Sequence, residues 1–333
     1  MEEFGQLPNG EPVHRISISG GGLTAQFLTY GTVLQDLRLD GHNKPLVLGF
    51  ESFAPYLMKS PYFGATAGRC ANRIRDGHLE ISGNVYQLDR NFLGKHSLHG
   101  GALSMGKRVW QIDEVDDHSV QFSIRLVDRE MGYPAQLDAT ARFSLLDNST
   151  FDIVYRASSD GPTLCNLAHH SYFNLSGENT ILDHDLAVHA NTYLPVDQEL
   201  IPTGEVRQVA NTVFDFRHPK RIALASNYHL LDHNYCVAKS RQPLREVARL
   251  SSKTSNVMMK CLTTEPGLQV YDGAKIDIDE PGLVGAKMSA HSGVALEPQI
   301  WPDANHHEHF PSAMLQPDEQ YEQHTQYIFS KDL

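Results

Sequence analysis

Leu137-Asp138-Ala139-Thr140-Ala141-Arg142-Phe143-Ser144-Leu145 alternates apolar and polar residues without a break. Successive side chains of an extended chain point to opposite faces, so this two-residue period describes a β-strand with one face in a core and the other in water. Asp147-Asn148-Ser149 follows as a turn, and residues 151–155 resume the extended pattern, which predicts an antiparallel hairpin. Upstream, Val120-Gln121-Phe122-Ser123-Ile124-Arg125-Leu126 has the same period, and Asp116-Asp117-His118 separates it from an earlier run at 109–115. Similar runs recur at 15–19, 23–29, 33–39 and 327–330. Helical periodicity is scarce, with 244–251 the best short candidate. Gly20-Gly21-Gly22 lacks the strand–turn–helix setting of a phosphate loop and is expected to be a turn between strands. The 25 Gly and 17 Pro are scattered as single punctuators, and no linker or low-complexity stretch interrupts the chain. The expectation is a single all-β domain over residues 1–333, large enough to be a many-stranded antiparallel β-sandwich of two sheets.

Composition narrows the partners. There are 40 Asp and Glu against 28 Lys and Arg, a formal net charge of −12, and no basic run that would neutralise a series of phosphates. Nucleic acid and anionic membrane are therefore not expected partners. Met1-Glu2-Glu3-Phe4-Gly5-Gln6 carries no basic stretch followed by an apolar one, and no apolar run reaches membrane-spanning length. Cys70, Cys165, Cys236 and Cys261 are irregularly spaced, with no Cys-x-x-Cys pair, so reduced cysteines in a cytoplasm are expected.

Two segments carry chemistry inside otherwise core-like surroundings: His170-Ser171-Tyr172-Phe173-Asn174-Leu175 and Leu296-Glu297-Pro298-Gln299. They offer an imidazole and a carboxylate, a proton-transfer pair if the fold closes them together. Alone, a Glu before Pro is an ordinary strand-end residue and a His in an apolar strand an ordinary core residue. His169 adjoins His170, and only one of two neighbours on a strand can face a given side. His306-His307-Glu308-His309 lacks the helical i, i+4 spacing of zinc proteases, so no functional metal is expected there. Trp301 is expected in the core rather than stacked on a ligand.

Five motifs in order resemble the aldose 1-epimerases: Gly68-Arg69-Cys70-Ala71-Asn72-Arg73-Ile74, Ser97-Leu98-His99-Gly100-Gly101, the His170 and Glu297 segments, and Leu315-Gln316-Pro317-Asp318-Glu319-Gln320-Tyr321. The resemblance runs from Phe4-Gly5 through Val47-Leu48-Gly49 to the last of these motifs. It implies a large antiparallel supersandwich with a sugar cleft on its concave side. The reaction implied is cofactor-independent interconversion of the α and β anomers of a free aldose such as galactose or glucose. Opening a pyranose needs a base for the C1 hydroxyl proton and an acid for the ring oxygen; by resemblance Glu297 is the base and His170 the acid. The resemblance further makes Asn72, Arg73, His99, Asp232 in Leu231-Asp232-His233-Asn234-Tyr235, and Gln269 in Pro266-Gly267-Leu268-Gln269-Val270-Tyr271 the sugar-binding residues. Two places depart from the family pattern: His169 stands where most relatives carry Asn, and Tyr271 is followed by Asp272-Gly273 where many carry Thr-Gly-Asn. The rival readings are a β-sandwich that binds carbohydrate without turnover and an epimerase for a phosphorylated hexose. Retention of both His170 and Glu297 argues against the first, and the absence of an added Arg/Lys cluster beside the motifs against the second. The preferred aldose is open, as is the choice between monomer and homodimer.

Overall fold

The computed structural model describes residues 1–226 and 231–331. Antiparallel strands dominate it, and three sheets set the architecture. The largest has nine strands in the order Gln111–Val115, Ser119–Leu126, Leu137–Leu146, Thr150–Ser159, Tyr321–Ser330, Val257–Thr263, Arg245–Ser252, Asp185–Val188 and Lys220–Arg221. The two hairpins read from the sequence sit at its start, with Val120 opposite Phe143 and Phe143 opposite Ile153. A four-stranded sheet, from Glu2–Gln6 to Leu34–Leu39, comes from the N-terminal runs, and Gly21 and Gly22 turn one of its hairpins at φ of 59° and 89°. A six-stranded sheet follows the order Tyr172–Phe173, Val294–Gln299, Gly267–Tyr271, Asp232–Cys236, Thr192–Tyr193 and Arg207–Gln208.

Alternation along these strands builds the core. The apolar face of the nine-stranded sheet presents Phe122, Phe143, Phe151 and Tyr327, all fully buried, toward Phe27 of the four-stranded sheet and Leu268, Val270 and Leu296 of the six-stranded one. Phe27 stacks on Phe143 with ring centroids 4.7 Å apart, and the Tyr327 hydroxyl donates to the Leu296 carbonyl at 2.7 Å. Sheet on sheet is thus a supersandwich, and truncating a central ring such as Phe143 to Ala costs about 3–5 kcal/mol.

The sequence reading of 244–251 as a helix is corrected: Arg245–Ser252 is a strand, paired on one side with Val257–Thr263 and on the other with Asp185–Val188. A bulge between Glu246 and Ala248 breaks the two-residue alternation there. That irregularity disguised the period, and pairing on both edges overrides a weak helix preference.

Candidate active site

Strands Gly267–Tyr271 and Val294–Gln299 are buried on nearly every residue because both of their faces are covered. Leu268, Val270 and Leu296 point into the core. The alternate residues Gln269, Tyr271, Ala295 and Glu297 point the other way, with Gln269 opposite Glu297 and Asn234 opposite Gln269 in register. Pro298 fits this strand because its other neighbour, Tyr172–Phe173, pairs only as far as Ala295 and Val294, leaving the edge beyond without a ladder to break. A cleft of about 250 Å³ opens over this face, lined among others by Asn72, Arg73, His99, His170, Asp232 and Glu297. That volume suits one small polar ring rather than an extended chain.

His170 enters the cleft from the adjoining segment. Its carbonyl accepts from the Gly64 N–H at 3.0 Å and its N–H donates to the Ala65 carbonyl at 2.9 Å, which fixes the backbone on both sides of the ring. His170 Nε2 lies 3.5 Å from Glu297 Oε2, with both side chains 5% exposed or less. The two histidines part as strand geometry requires. His169 turns into the core against Phe151 and Tyr327, and its Nε2 meets the Ser171 hydroxyl at 2.7 Å.

The remaining motif residues form the cleft's hydrogen-bonding wall. Asn72 and His99 occupy left-handed backbone at φ of 65° and 51°, and Arg73 pairs with Leu98 across a short ladder. The Asn72 N–H donates to His99 Nδ1 at 3.1 Å. A backbone N–H can only donate, so Nδ1 is the acceptor nitrogen and Nε2 carries the ring's proton. Arg73 Nη2 lies 3.0 Å from Asp232 Oδ2, and Gln269 Nε2 donates to Asp232 Oδ1 at 2.5 Å. Gln269 itself stands behind Asp232, outside the residues that line the cleft.

Burial sets the electrostatics. It pushes the Glu297 carboxyl well above the usual carboxylate range; the Asp232 charge adds to this and Arg73 opposes it. Burial draws His170 down to about 4, and holds His99 well below the ordinary imidazole value with help from His170 and Arg73. Asp232 is different: burial raises it, but the Arg73 charge and the bonds from Gln269 and Arg73 outweigh burial and hold it below its ordinary value. Burial thus disfavours the charged form of each member of the pair, His170 and Glu297. Neutral imidazole with carboxylic acid and imidazolium with carboxylate are two arrangements of the same proton inventory.

Other sequence features fall outside the cleft. Trp301 is buried against Phe310, and its Nε1–H donates to the Pro266 carbonyl at 2.9 Å. His306 Nδ1 meets Asp303 Oδ1 at 2.6 Å while His309 Nε2 meets the Gly204 carbonyl at 2.8 Å, so these imidazoles face different partners. Arg69 spends its guanidinium on the carbonyls of Pro134 and Ala135. Asp272 caps a turn by accepting from the Ala274 N–H at 3.1 Å and does not line the cleft, whereas Tyr271 does. Sequence reasoning missed Tyr62, Phe92, Tyr172 and Lys275 in the lining. Tyr172 carried a signal, being two residues from His170 on the same face; Tyr62 lies in an irregular loop at φ of 65° and carried none. Two larger hollows, of about 320 and 770 Å³, contain none of the motif residues predicted to act on a sugar.

Comparison with known proteins gives the family. Residues 14–328 match the aldose 1-epimerase family. The galactose mutarotase of Homo sapiens is 38% identical over 98% of this chain and 97% of its own length. The aldose 1-epimerase of Escherichia coli K12 is 32% identical over 97% and 96%. Among solved structures, an aldose epimerase homologue from C. elegans superposes with a TM-score of 0.90 at 31% identity, covering 96% of this chain and all of that one. The galactose 1-epimerase of Lactobacillus acidophilus NCFM gives 0.86 at 26% identity, covering 99% and 98%. With the motifs in order, the sandwich closed and the match spanning nearly every residue, the chain belongs to the aldose 1-epimerase family.

Proposed function

We propose that this chain interconverts the α and β anomers of a free aldose, galactose or glucose, with Glu297 as base and His170 as acid. The observation that supports it best is the 3.5 Å separation of His170 Nε2 and Glu297 Oε2 in a cleft walled by Arg73 and Asp232. The C1 hydroxyl oxygen and the ring oxygen are bonded to one carbon, so groups serving both must themselves lie a few ångströms apart. Glu297 takes the hydroxyl proton, His170 protonates the ring oxygen, and the C1–O5 bond breaks to give the open-chain aldehyde. Rotation about C1–C2 and reclosure with the roles reversed gives the other anomer. No net proton is gained or lost, so the mechanism requires the pair to keep a single proton through the cycle. Two carboxylates would have suited glycoside hydrolysis; a carboxylate with an imidazole suits reversible ring opening. Asn72, Arg73, His99 and Asp232 hold the sugar hydroxyls, His99 as a donor through Nε2–H, and Gln269 acts by fixing Asp232. Residues 1–333 act as one domain.

The test separates turnover from binding. Glu297→Gln keeps size and one acceptor but cannot act as base. Calorimetric titration with galactose should give affinity within about tenfold of wild type, a difference of ~1.4 kcal/mol, while polarimetric mutarotation falls close to the uncatalysed rate. Wild type that binds the free sugar without accelerating its mutarotation would replace the enzyme by a carbohydrate-binding module, and acceleration confined to a hexose phosphate would shift the substrate class.

A further inference from the structure

Arg73 is the buried cation of the cleft, and a long guanidinium side chain recognises a small ring well only if its own freedom is removed beforehand. Its edge is held by Asp232 at 3.0 Å and, more weakly, by Asn72 Oδ1 at 3.5 Å. Those bonds lie at the rim of the guanidinium group and leave its faces uncommitted. One face is covered: the Arg73 guanidinium carbon sits 4.8 Å from the centroid of the Phe92 ring.

Phe92 is itself held at the base of a tight turn whose tip is residues 93–95. Its N–H donates to the His96 carbonyl at 3.0 Å and its carbonyl accepts from the His96 N–H at 2.9 Å. Beside it, the Asn91 side chain both donates to and accepts from the Leu98 backbone, at 2.9 and 2.8 Å. Lys95 and His96 anchor the turn's far side on Glu199, at 2.7 and 3.2 Å. These hydrogen bonds, with the Lys95 N–H donating to the Phe92 carbonyl at 3.0 Å, fix the backbone that carries a partly exposed ring lining the cleft.

We propose that Phe92 is a positioning residue for Arg73, holding the guanidinium through its aromatic face in the pose that meets the sugar. The inference rests on Arg73 contacting the aldose, as proposed above. A cation is attracted to the negative face of an aromatic ring and not to an aliphatic chain of similar size. Substitutions that preserve shape while changing the ring's electron distribution therefore discriminate this role from plain packing.

The experiment measures wild type, Phe92→Leu, Phe92→Tyr and a chain carrying pentafluorophenylalanine at 92, by polarimetry over a range of α-galactose concentrations and by calorimetric affinity. Phe92→Leu should raise KM and Kd by about three- to tenfold with kcat nearly unchanged, because Glu297 and His170 are untouched. Phe92→Tyr should stay near wild type. The pentafluoro ring, of nearly the same size with its face polarity reversed, should behave like Leu, and it decides the matter if Phe92→Leu fails to fold. In an Arg73→Ala background Phe92→Leu should add nothing. Equal affinity in Leu, pentafluoro and wild-type chains, or an undiminished effect in the Arg73→Ala background, overturns the proposal. Absence of any wild-type acceleration would instead sink the enzymatic reading, and the calorimetric arm would still judge Phe92.

Discussion

Replacing Asp232 by Asn probes the cleft's charge balance with almost no change of shape. Both carboxylate oxygens are occupied by donors, Gln269 Nε2 at 2.5 Å on Oδ1 and Arg73 Nη2 at 3.0 Å on Oδ2. Asn keeps one acceptor, and its amide NH2 must then confront the other donor. The Arg73 and Asp232 side chains are only 10% and 11% exposed, so solvent screens the pair little. Removing one partner of such a pair leaves an uncompensated charge and costs about 3–5 kcal/mol, to be read as a loss of unfolding free energy in urea at neutral pH. The sign with pH follows from Asp232's folded pKa lying below its ordinary 3.8. Its contribution is full above that ordinary value and disappears as pH falls through the folded one, so the gap between wild type and Asp232→Asn closes in acid. The charge change also reaches the proton pair. Asp232 raises both Glu297 and His170 while Arg73 lowers both, so the variant should slide the entire pH profile of kcat/KM toward acid. Damage to the fold alone would lower the profile without moving it. An unfolding free energy within 1 kcal/mol of wild type, together with an unmoved profile, would refute this account of the cleft.

In wild type the polarimetric kcat/KM should be bell-shaped, falling in acid as His170 takes a second proton near pH 4 and falling in alkali as the pair's single proton leaves through the raised pKa of Glu297. His170→Asn and Glu297→Gln should each lower kcat by about 10²–10⁴-fold, and the double variant should lose little more than either single one, because the pair acts as a unit; independent, multiplying effects would separate the two residues. Gly100→Ala should destabilise the chain by about 1–3 kcal/mol from backbone strain alone and lower the affinity for galactose, since at φ of 89° its Cβ would lie 2.1 Å from the Gly68 carbonyl oxygen, next to His99. Gly94→Ala is the control for the clash: at φ of 64° it carries left-handed backbone strain of about 1–2 kcal/mol, but with open space around its Cβ it should cost no more than that in thermal unfolding.

Much of this molecule was legible because its strands are half-buried. Residues 119–126 and 137–146 wear their period openly, one face in the core and one in water. The strands that carry the chemistry do not: Val294–Gln299 is buried on both faces, so its sequence reads as a continuous apolar run with one stray carboxylate. The motif around Glu297 named the residue, but only the register with Gln269 explains why it points into the cleft. Alternation required the adjacent histidines to part, and the motif, not the period, picked His170 for the cleft. Tyr62 and Phe92 were illegible because they reach the cleft from irregular loops, where no period assigns a side chain to a face. Gln269 was expected to bind sugar directly, and its bond to Asp232 in place of a position in the lining is a matter of depth, which spacing does not encode.

The Arg73–Asp232 ion pair spans 159 positions of the chain, and Glu297 enters the cleft only once its strand has docked beside Gly267–Tyr271. No early hairpin contains enough of the cleft to hold a ligand. In a refolding experiment, circular dichroism would follow the local hairpins, whereas the return of mutarotation would time the slowest long-range closure. Galactose added during refolding should leave that rate unchanged while raising the midpoint of thermal unfolding, because the sugar has affinity only for the finished native state.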